Sequence, residues 1–328
     1  MLVTGEIDKL RKAVGEARNG GAVVGVVMTM GALHAGHRTL IEAAVAECGF
    51  VVVTIYVNPT QFAPGEDFDA YPRPLDADLA VCREAGAAAV FTPTDTLLYP
   101  DGFQTSVTVE ETTQPLEGAS RPTHFRGVTT VVLKLLNIAA ADRAYFGQKD
   151  YQQQAVLRQM ATDLNHPTAI CTVPTVRDAD GVALSSRNAY LSEAERRAAR
   201  ALPVALSMAA NGYDAFGQIS AAKLGLELGL KKAADDAAAA GVRFEVDYAV
   251  VVDSVTLREY DTAEMAIDAD AENDPVALLA VRVGSTRLID NHRLRDAGPI
   301  AFEAVERPTS RSTAGDWVRR LVSRLPPP

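Results

Sequence analysis

The chain has 328 residues, 48% of them apolar and 23% charged, with a net charge of -10. That length exceeds one small core and suggests two domains, while the acidic balance argues against a broad nucleic-acid-binding face and leaves room for a local basic pocket. The three cysteines, Cys48, Cys82 and Cys171, are too few and too widely spaced for a disulfide framework or a thiolate zinc site, and read as small apolar residues in a reducing compartment.

Met1–Gly20 is charged throughout and lacks the apolar stretch of a secretory leader. Val51–Val57 is far shorter than the ~20 residues that a bilayer crossing needs. The expectation is a cytoplasmic protein with neither a membrane nor a nucleic-acid partner.

Ala22–Val27 is a short β-branched run and predicts a buried strand. After Gly36, His37, Leu40, Ile41, Ala44 and Val45 recur at helical spacing. Phe50–Val57 is again strand-like, so the three segments make a βαβ unit with parallel strands. The alternation goes on with a helix over Asp76–Ala85 and a strand over Ala88–Thr92. A helix over Val128–Ala139 and a strand over Arg143–Phe146 follow. Tyr151–Leu164 then reads as a helix, and Thr168–Val173 as a strand.

From about Arg177 the texture changes. Ser192-Glu193-Ala194-Glu195 is a capping box that predicts one helix through Ala210. A second helix is predicted over Ser220–Ala240, then strands over Arg243–Val252 and Val276–Val283. The pattern predicts an α/β fold: a doubly wound parallel Rossmann-like sheet over 1–176, with a second, smaller α+β domain over 177–293. Residues 294–328 read as a disordered tail with a short helix near Trp317–Arg324. Ligands of such sheets bind beyond the carboxyl ends of the strands, which directs attention to the loops after Val27, Val57, Phe146 and Val173.

The first of these loops is Thr29-Met30-Gly31-Ala32-Leu33-His34-Ala35-Gly36-His37. A helix N-terminus attracts phosphate, and two imidazoles there can donate to its oxygens as charge grows during displacement at phosphorus. His37 also falls on the apolar helix stripe, where the plainer reading is a packed core histidine. His34 and His37 stand at metal-ligand spacing too, with no third His or Cys nearby. The βα context favours phosphate, and His-x-Gly-His on such a turn resembles the nucleotidylyl-transferase superfamily.

Three further clusters lie on the other loops. In Gly147-Gln148-Lys149-Asp150-Tyr151-Gln152-Gln153, Lys149 suits a phosphate. Asp150 and Gln153 there form a candidate capping box, or else Gln153 faces a polar substrate. Leu184-Ser185-Ser186-Arg187-Asn188 offers two hydroxyls and a guanidinium for phosphates, and alone would pass as a surface turn. Asn58-Pro59-Thr60-Gln61-Phe62 sits at a strand end, where Gln61 can reach a ligand. Asp76 and Asp78 read either as Mg²⁺ ligands or as an acidic helix start.

Taken together and in order, Thr29–His37, Val57–Phe62, Asp69–Arg73, His124–Lys134, Phe146–Gln153 and Leu184–Asn188 resemble the pantothenate synthetase (pantoate–β-alanine ligase) family. The resemblance covers roughly Met1 to Arg293. It implies ATP-dependent condensation of pantoate with β-alanine through a pantoyl-adenylate, with Mg²⁺ accompanying ATP, in a homodimer. The implied catalytic residues are His34, His37 and Lys149. Met30, His37, Gly147, Lys149, Asp150, Val176, Leu184, Ser185, Ser186 and Arg187 are implied for ATP. For pantoate they are Met30, Gln61, Val131 and Gln153. The second domain is implied to close as a lid over the ATP site. Met28, Gln148 and Ala35 stand where the family usually has proline, glutamate and glutamate; these bear on turn rigidity and local charge. Rival readings are another nucleotidylyl transferase, which would lack the paired glutamines, a class I aminoacyl-tRNA synthetase, which the acidic charge disfavours, and a nucleotide-binding regulator without catalysis.

Overall fold

The computed structural model describes residues 1–63, 65–66, 68–260, 274–296 and 300. The helix predicted near Trp317–Arg324 and most of the tail lie outside the described residues. The chain divides into two compact units, one of Met1–Val176 with Leu184–Ser186, the other of Arg177–Ala183 with the chain from Arg187 onward.

In the first unit the elements follow as β1 (Leu2–Thr4), α1 (Ile7–Asn19), β2 (Val24–Thr29), α2 (Ala35–Glu47), β3 (Phe50–Ile55), a 3-10 turn over Pro59–Gln61, α3 (Leu75–Glu84) and β4 (Ala89–Phe91). Two short helices, α4 (Asp95–Leu98) and α5 (Glu117–Ser120), precede α6 (His124–Ala139), β5 (Arg143–Gly147), α7 (Tyr151–Asp163) and β6 (Ala169–Val173). The sheet is six-stranded and parallel, in the order β1-β4-β3-β2-β5-β6. The chain runs outward from β2 through β3 to β4, then crosses back to β5 beside β2. The strand order therefore reverses between β2 and β5, which is where a doubly wound sheet opens its ligand crevice.

Alternation along β2 feeds both faces of this sheet. Val26 packs with Leu10 of α1, Phe125 and Leu136 of α6 and Leu157 of α7 on one face. Val27 packs with Ile41 of α2 and Cys82 of α3 on the other. Burial on both faces explains why the strands read as near-continuous apolar runs. The parallel sheet and its two helical layers match the fold class expected from the sequence. The elements that went unpredicted in this unit are β1, α1, the 3-10 turn and the short helices α4 and α5; α1 is a charged helix that buries only Leu10 and Val14.

The second unit holds α8 (Glu193–Ala199), α9 (Ala201–Phe216), α10 (Ile219–Ala239), β7 (Phe244–Asp253), β8 (Pro275–Val283) and β9 (Thr286–Arg293). The three strands form an antiparallel sheet in that order. The capping box forms as predicted, with Glu195 N–H to Ser192 Oγ at 3.3 Å and Ser192 N–H to Glu195 Oε2 at 2.8 Å. The single helix expected through Ala210 is instead two, broken at Arg200. Pro203 explains the break: it has no N–H to give Ala199, and its ring crowds that carbonyl. Helices α9 and α10 cross closely at glycines; an added Cβ would lie 2.5 Å from Ala221 O at Gly212 and 2.3 Å from Met208 O at Gly225.

Candidate active site

The crevice begins where β2 ends. Thr29 Oγ1 donates to Thr54 O on β3 at 2.8 Å and accepts from Gly31 N–H at 3.2 Å, starting a tight turn. Gly31 and Ala32 then both adopt positive φ, +83° and +51°. Ala32 bears a steric strain there that glycine avoids. The turn holds because Asp78 on α3 accepts Ala32 N–H on Oδ2 at 3.0 Å and Leu33 N–H on Oδ1 at 2.7 Å.

The next residues are the two histidines. His34 is the N-cap of α2; its Nδ1 accepts Gly36 N–H at 3.1 Å, and His34 N–H donates to His37 Nδ1 at 3.3 Å. This is a capping box built from imidazoles. Its rings lie 4.1 Å apart, centroid to centroid. Because each Nδ1 accepts, each neutral ring carries its proton on Nε2. Desolvation first, and then His34, hold the pKa of half-buried His37 down to about 3. His37 is thus a neutral N–H donor at ordinary pH. Asp150 raises its pKa and Lys149 lowers it, so the β5–α7 turn faces the same ring.

A second wall comes from the segment after β3. Asn58 is buried and caps the 3-10 turn: its Oδ1 accepts from Thr60 N–H, Thr60 Oγ1 and Tyr99 OH at 3.3, 3.0 and 2.9 Å. Its amide donates to Gly127 O and to Gln61 Oε1, each at 3.2 Å. Gln61 Nε2 in turn reaches Met30 Sδ at 2.8 Å. Gly127 of α6 lets the helix touch this turn, since a Cβ there would stand 2.4 Å from Thr60 O. One turn on in α6, Val131 is buried.

Below Gln61 runs a charged chain of contacts. His124 Nδ1 lies 2.9 Å from Gln61 O, and Arg121 Nη1 lies 3.3 Å from His124 Nε2. Arg121 can only donate, so Nε2 accepts and Nδ1 holds the proton that goes to Gln61 O. Burial, then Arg121, lowers the His124 pKa, which keeps this tautomer neutral. Arg121 is held by both oxygens of Glu66, at 2.7 and 2.6 Å. Burial pushes the Glu66 carboxyl up, but the Arg121 contacts outweigh it and the net shift is downward.

The third wall is the β5–α7 turn. Gln148 N–H donates to Val173 O at 2.8 Å, and Lys149 Nζ lies 3.7 Å from Asp150 Oδ1. Nothing stands within 4 Å of an added Cβ at Gly147, so the turn opens onto space. The capping box expected from Asp150 and Gln153 does not form: Asp150 is the N-cap by its backbone, with no side-chain cap bond. The three consecutive glutamines at the start of α7 diverge because helical neighbours point in different directions. Gln152 is buried and braces the 112–117 loop through Glu117 N, Thr112 O and Pro115 O. Gln154 accepts from Thr172 on β6. Gln153 is half-buried, and its side chain makes no hydrogen bond among the described residues.

Leu184 joins this unit through its N–H to Val176 O at 2.9 Å, and its Cβ lies 4.0 Å from where a Cβ on Gly36 would stand. Leu184 and Val176 therefore sit by the start of α2, with the half-buried Ser185 and Ser186 next in the chain. Arg187 belongs to the second unit.

The metal reading of Asp76 and Asp78 is corrected by these contacts. Asp78 is 2% exposed and both its oxygens accept backbone N–H groups, while Asp76 is exposed on the first turn of α3. The pair does not fit a Mg²⁺ site, which wants carboxylate oxygens open to the ion and its waters. Among the described residues no group of three His, Cys, Asp or Glu side chains is placed to hold a metal. Sequence reasoning missed Asn58, Arg121 and His124 as organisers of the Gln61 wall. Asn58-Pro59, a cap followed by proline at the first helical position, was a readable signal for the first of them.

A family model described as pantoate-beta-alanine ligase matches residues 2–293. The chain belongs to the pantoate–β-alanine ligase family. It is 48% identical to the pantothenate synthetase of Dinoroseobacter shibae over 291 residues, covering 87% of this chain and 96% of that protein. Among solved structures it resembles pantothenate synthetase from Thermus thermophilus, at 41% identity and a TM-score of 0.79 over 90% of this chain and 99% of the other. The pantoate–β-alanine ligase of Francisella tularensis, solved with beta-gamma ATP and β-alanine, is 30% identical with a TM-score of 0.67, again over 90% and 99%. Among the described residues no helix is long and apolar enough to cross a membrane.

Proposed function

We propose that this chain joins pantoate to β-alanine with cleavage of ATP, through an enzyme-bound pantoyl-adenylate. The observation that carries the reading is the imidazole capping box of His34 and His37 at the N-terminus of α2, at the sheet's switch point, in which each Nδ1 accepts a backbone N–H and His37 is held neutral. Preorganised donors of this kind stabilise charge that develops on a phosphate in the transition state.

In the first step a pantoate carboxylate oxygen attacks the α-phosphorus of ATP, and the bond to pyrophosphate breaks. In the second the β-alanine amine attacks the acyl carbon, loses a proton, and AMP leaves. The substrates supply both nucleophiles, so the protein's task is positioning and charge stabilisation. His34 and His37 donate to the α-phosphate, and Lys149 adds a cation beside it. Gly147, Asp150, Val176 and Leu184 line the nucleotide, Ser185 and Ser186 donate to its phosphates, and the motif assigns Arg187 to the same task. Gln61 and Gln153 hold pantoate oxygens while Met30 and Val131 cover its methyl groups. Gln153 suits this role because its amide is not committed elsewhere among the described residues. Mg²⁺ enters with ATP as part of the substrate. We also propose a homodimer acting in the cytoplasm, for which sedimentation of the purified protein tests the assembly.

The test is to mix the protein with MgATP and pantoate, with and without β-alanine, and follow pyrophosphate and AMP. Pyrophosphate should require pantoate, and sustained AMP release should require β-alanine. Folded protein that releases no pyrophosphate with pantoate would remove the reading.

A further inference from the structure

Asp78 carries a charge into the interior without a cation. It is 2% exposed, and among the described residues it makes no ion pair. A buried carboxylate is costly unless N–H groups satisfy it. Here the donors are Ala32 N–H at 3.0 Å and Leu33 N–H at 2.7 Å. Successive N–H groups converging on one anion form a nest, a feature that elsewhere receives phosphate. In this chain the protein's own carboxylate fills it.

The turn is shaped to that carboxylate from both sides. A side chain at Gly31 would put its Cβ 2.9 Å from Asp78 Oδ2, and Gly31 has φ +83°. Ala32 holds φ +51°, a strained value for an L-residue that persists only where surroundings impose it. Met30 precedes this pair and touches Gln61; His34 follows it and starts α2.

We propose that Asp78 is a positioning residue for the adenylation step: by filling the 31–33 nest it fixes the turn that places Met30 and His34. It also keeps substrate phosphates out of that nest, because a second anion would meet Asp78 there. The inference rests on the function proposed above.

The first test uses the unaltered protein. Without nucleotide or Mg²⁺, the Ala32 and Leu33 amides should exchange slowly with solvent; exchange at the rate of an open loop would overturn the proposal. The second test is Asp78→Asn, which keeps the size but sets an NH₂ or a single oxygen against two donors. We expect kcat for pantoate-dependent pyrophosphate release to fall about a hundredfold, the scale of a small misplacement of reacting groups. The KM for pantoate should rise modestly as Met30 shifts, the Mg²⁺ dependence should change little, and of the five histidines the ring signals of His34 and His37 should move while that of His166 stays. Unchanged kcat would overturn the proposal, and so would activity recovered at high Mg²⁺, which would make Asp78 a metal ligand. Should Asp78→Asn not fold, Gly31→Ala displaces the carboxylate from the other side and should give the same loss of kcat with the same Mg²⁺ dependence. Absence of any pyrophosphate release from the unaltered protein would instead defeat the proposed function, while the amide exchange would still decide whether Asp78 holds the turn.

Discussion

Asp78 and Asp290 are the two buried carboxylates among the described residues, one in each unit, and they are satisfied in opposite ways. Asp78 takes two backbone N–H groups and no cation. Asp290 takes both arms of Arg177, at 2.6 and 2.9 Å, and the N–H of Asn291 at 2.8 Å. The difference separates two jobs. A carboxylate in a backbone nest dictates the shape of one turn, and so acts on whatever that turn presents. A carboxylate in a bidentate ion pair ties two stretches of chain together, here the 177–183 segment and β9, and so acts on stability.

Removing the cation is the sharpest way to break this contrast. Arg177→Ala should strand Asp290 and cost about 3–5 kcal/mol, the usual penalty for an uncompensated buried charge. Denaturant unfolding of the single variant, and of Arg177→Ala with Asp290→Asn, checks it; the double variant should recover part of the loss. Equal instability in both would mean that the ion pair is not what holds these stretches.

The opposite outcome is expected on the turn that Asp78 shapes. His37→Ala should lower adenylate formation by about 10²–10³ in kcat, or about 2.7–4 kcal/mol of transition-state stabilisation, while loss of its half of the α2 capping box should cost only about 1 kcal/mol of folding stability. Near-normal turnover would refute the donor role. His37 also predicts a pH signature. Its folded pKa of about 3 lies below its ordinary value of 6.5, so protons bind the unfolded chain preferentially. Its contribution to stability is complete above about pH 6.5 and is lost as pH falls towards about 3. The His37 ring signal should therefore not titrate near 6.5 in the folded protein; titration there would contradict the neutral donor.

Gly127→Ala tests the Gln61 wall. Its Cβ would collide with Thr60 O, so overpacking should cost about 1–3 kcal/mol. Gln61 shifts with its neighbour, which should raise KM for pantoate more than KM for ATP; a purely thermal effect would make the contact structural alone. The smallest change is expected at Ser192→Ala, outside both carboxylate clusters. Loss of that capping box should cost about 1 kcal/mol with kinetics unaltered.

The sheet was legible because its strands are buried on both faces and its helices are periodic, so Val24–Thr29 and Phe50–Ile55 announce themselves. Strand β9 was not, because its buried positions include the neighbours Asp290 and Asn291, and the Arg177 pairing that satisfies the Asp290 carboxylate is not readable from the strand's own pattern. Helix α1 was not, because its apolar face is two residues wide in a charged segment. At the site, the chain order of motifs pointed to the turns that meet at the crevice. The assignment of Asp78 failed for a physical reason: an acidic first turn looks the same in sequence whether it faces solvent or a loop 46 residues upstream. The Asp150–Gln153 box failed similarly, since the pattern fits a cap but the side chains take other directions.

The proposed reaction turns on attack of the pantoate carboxylate at the α-phosphorus of ATP. Pantoate labelled with ¹⁸O in its carboxylate, turned over with MgATP and β-alanine, tests it most directly by mass spectrometry of the products. One ¹⁸O should appear in AMP, carried by the oxygen that bridged acyl group and phosphorus. Label in inorganic phosphate, with ADP as the nucleotide product, would show an acyl-phosphate route and contradict attack at the α-phosphorus.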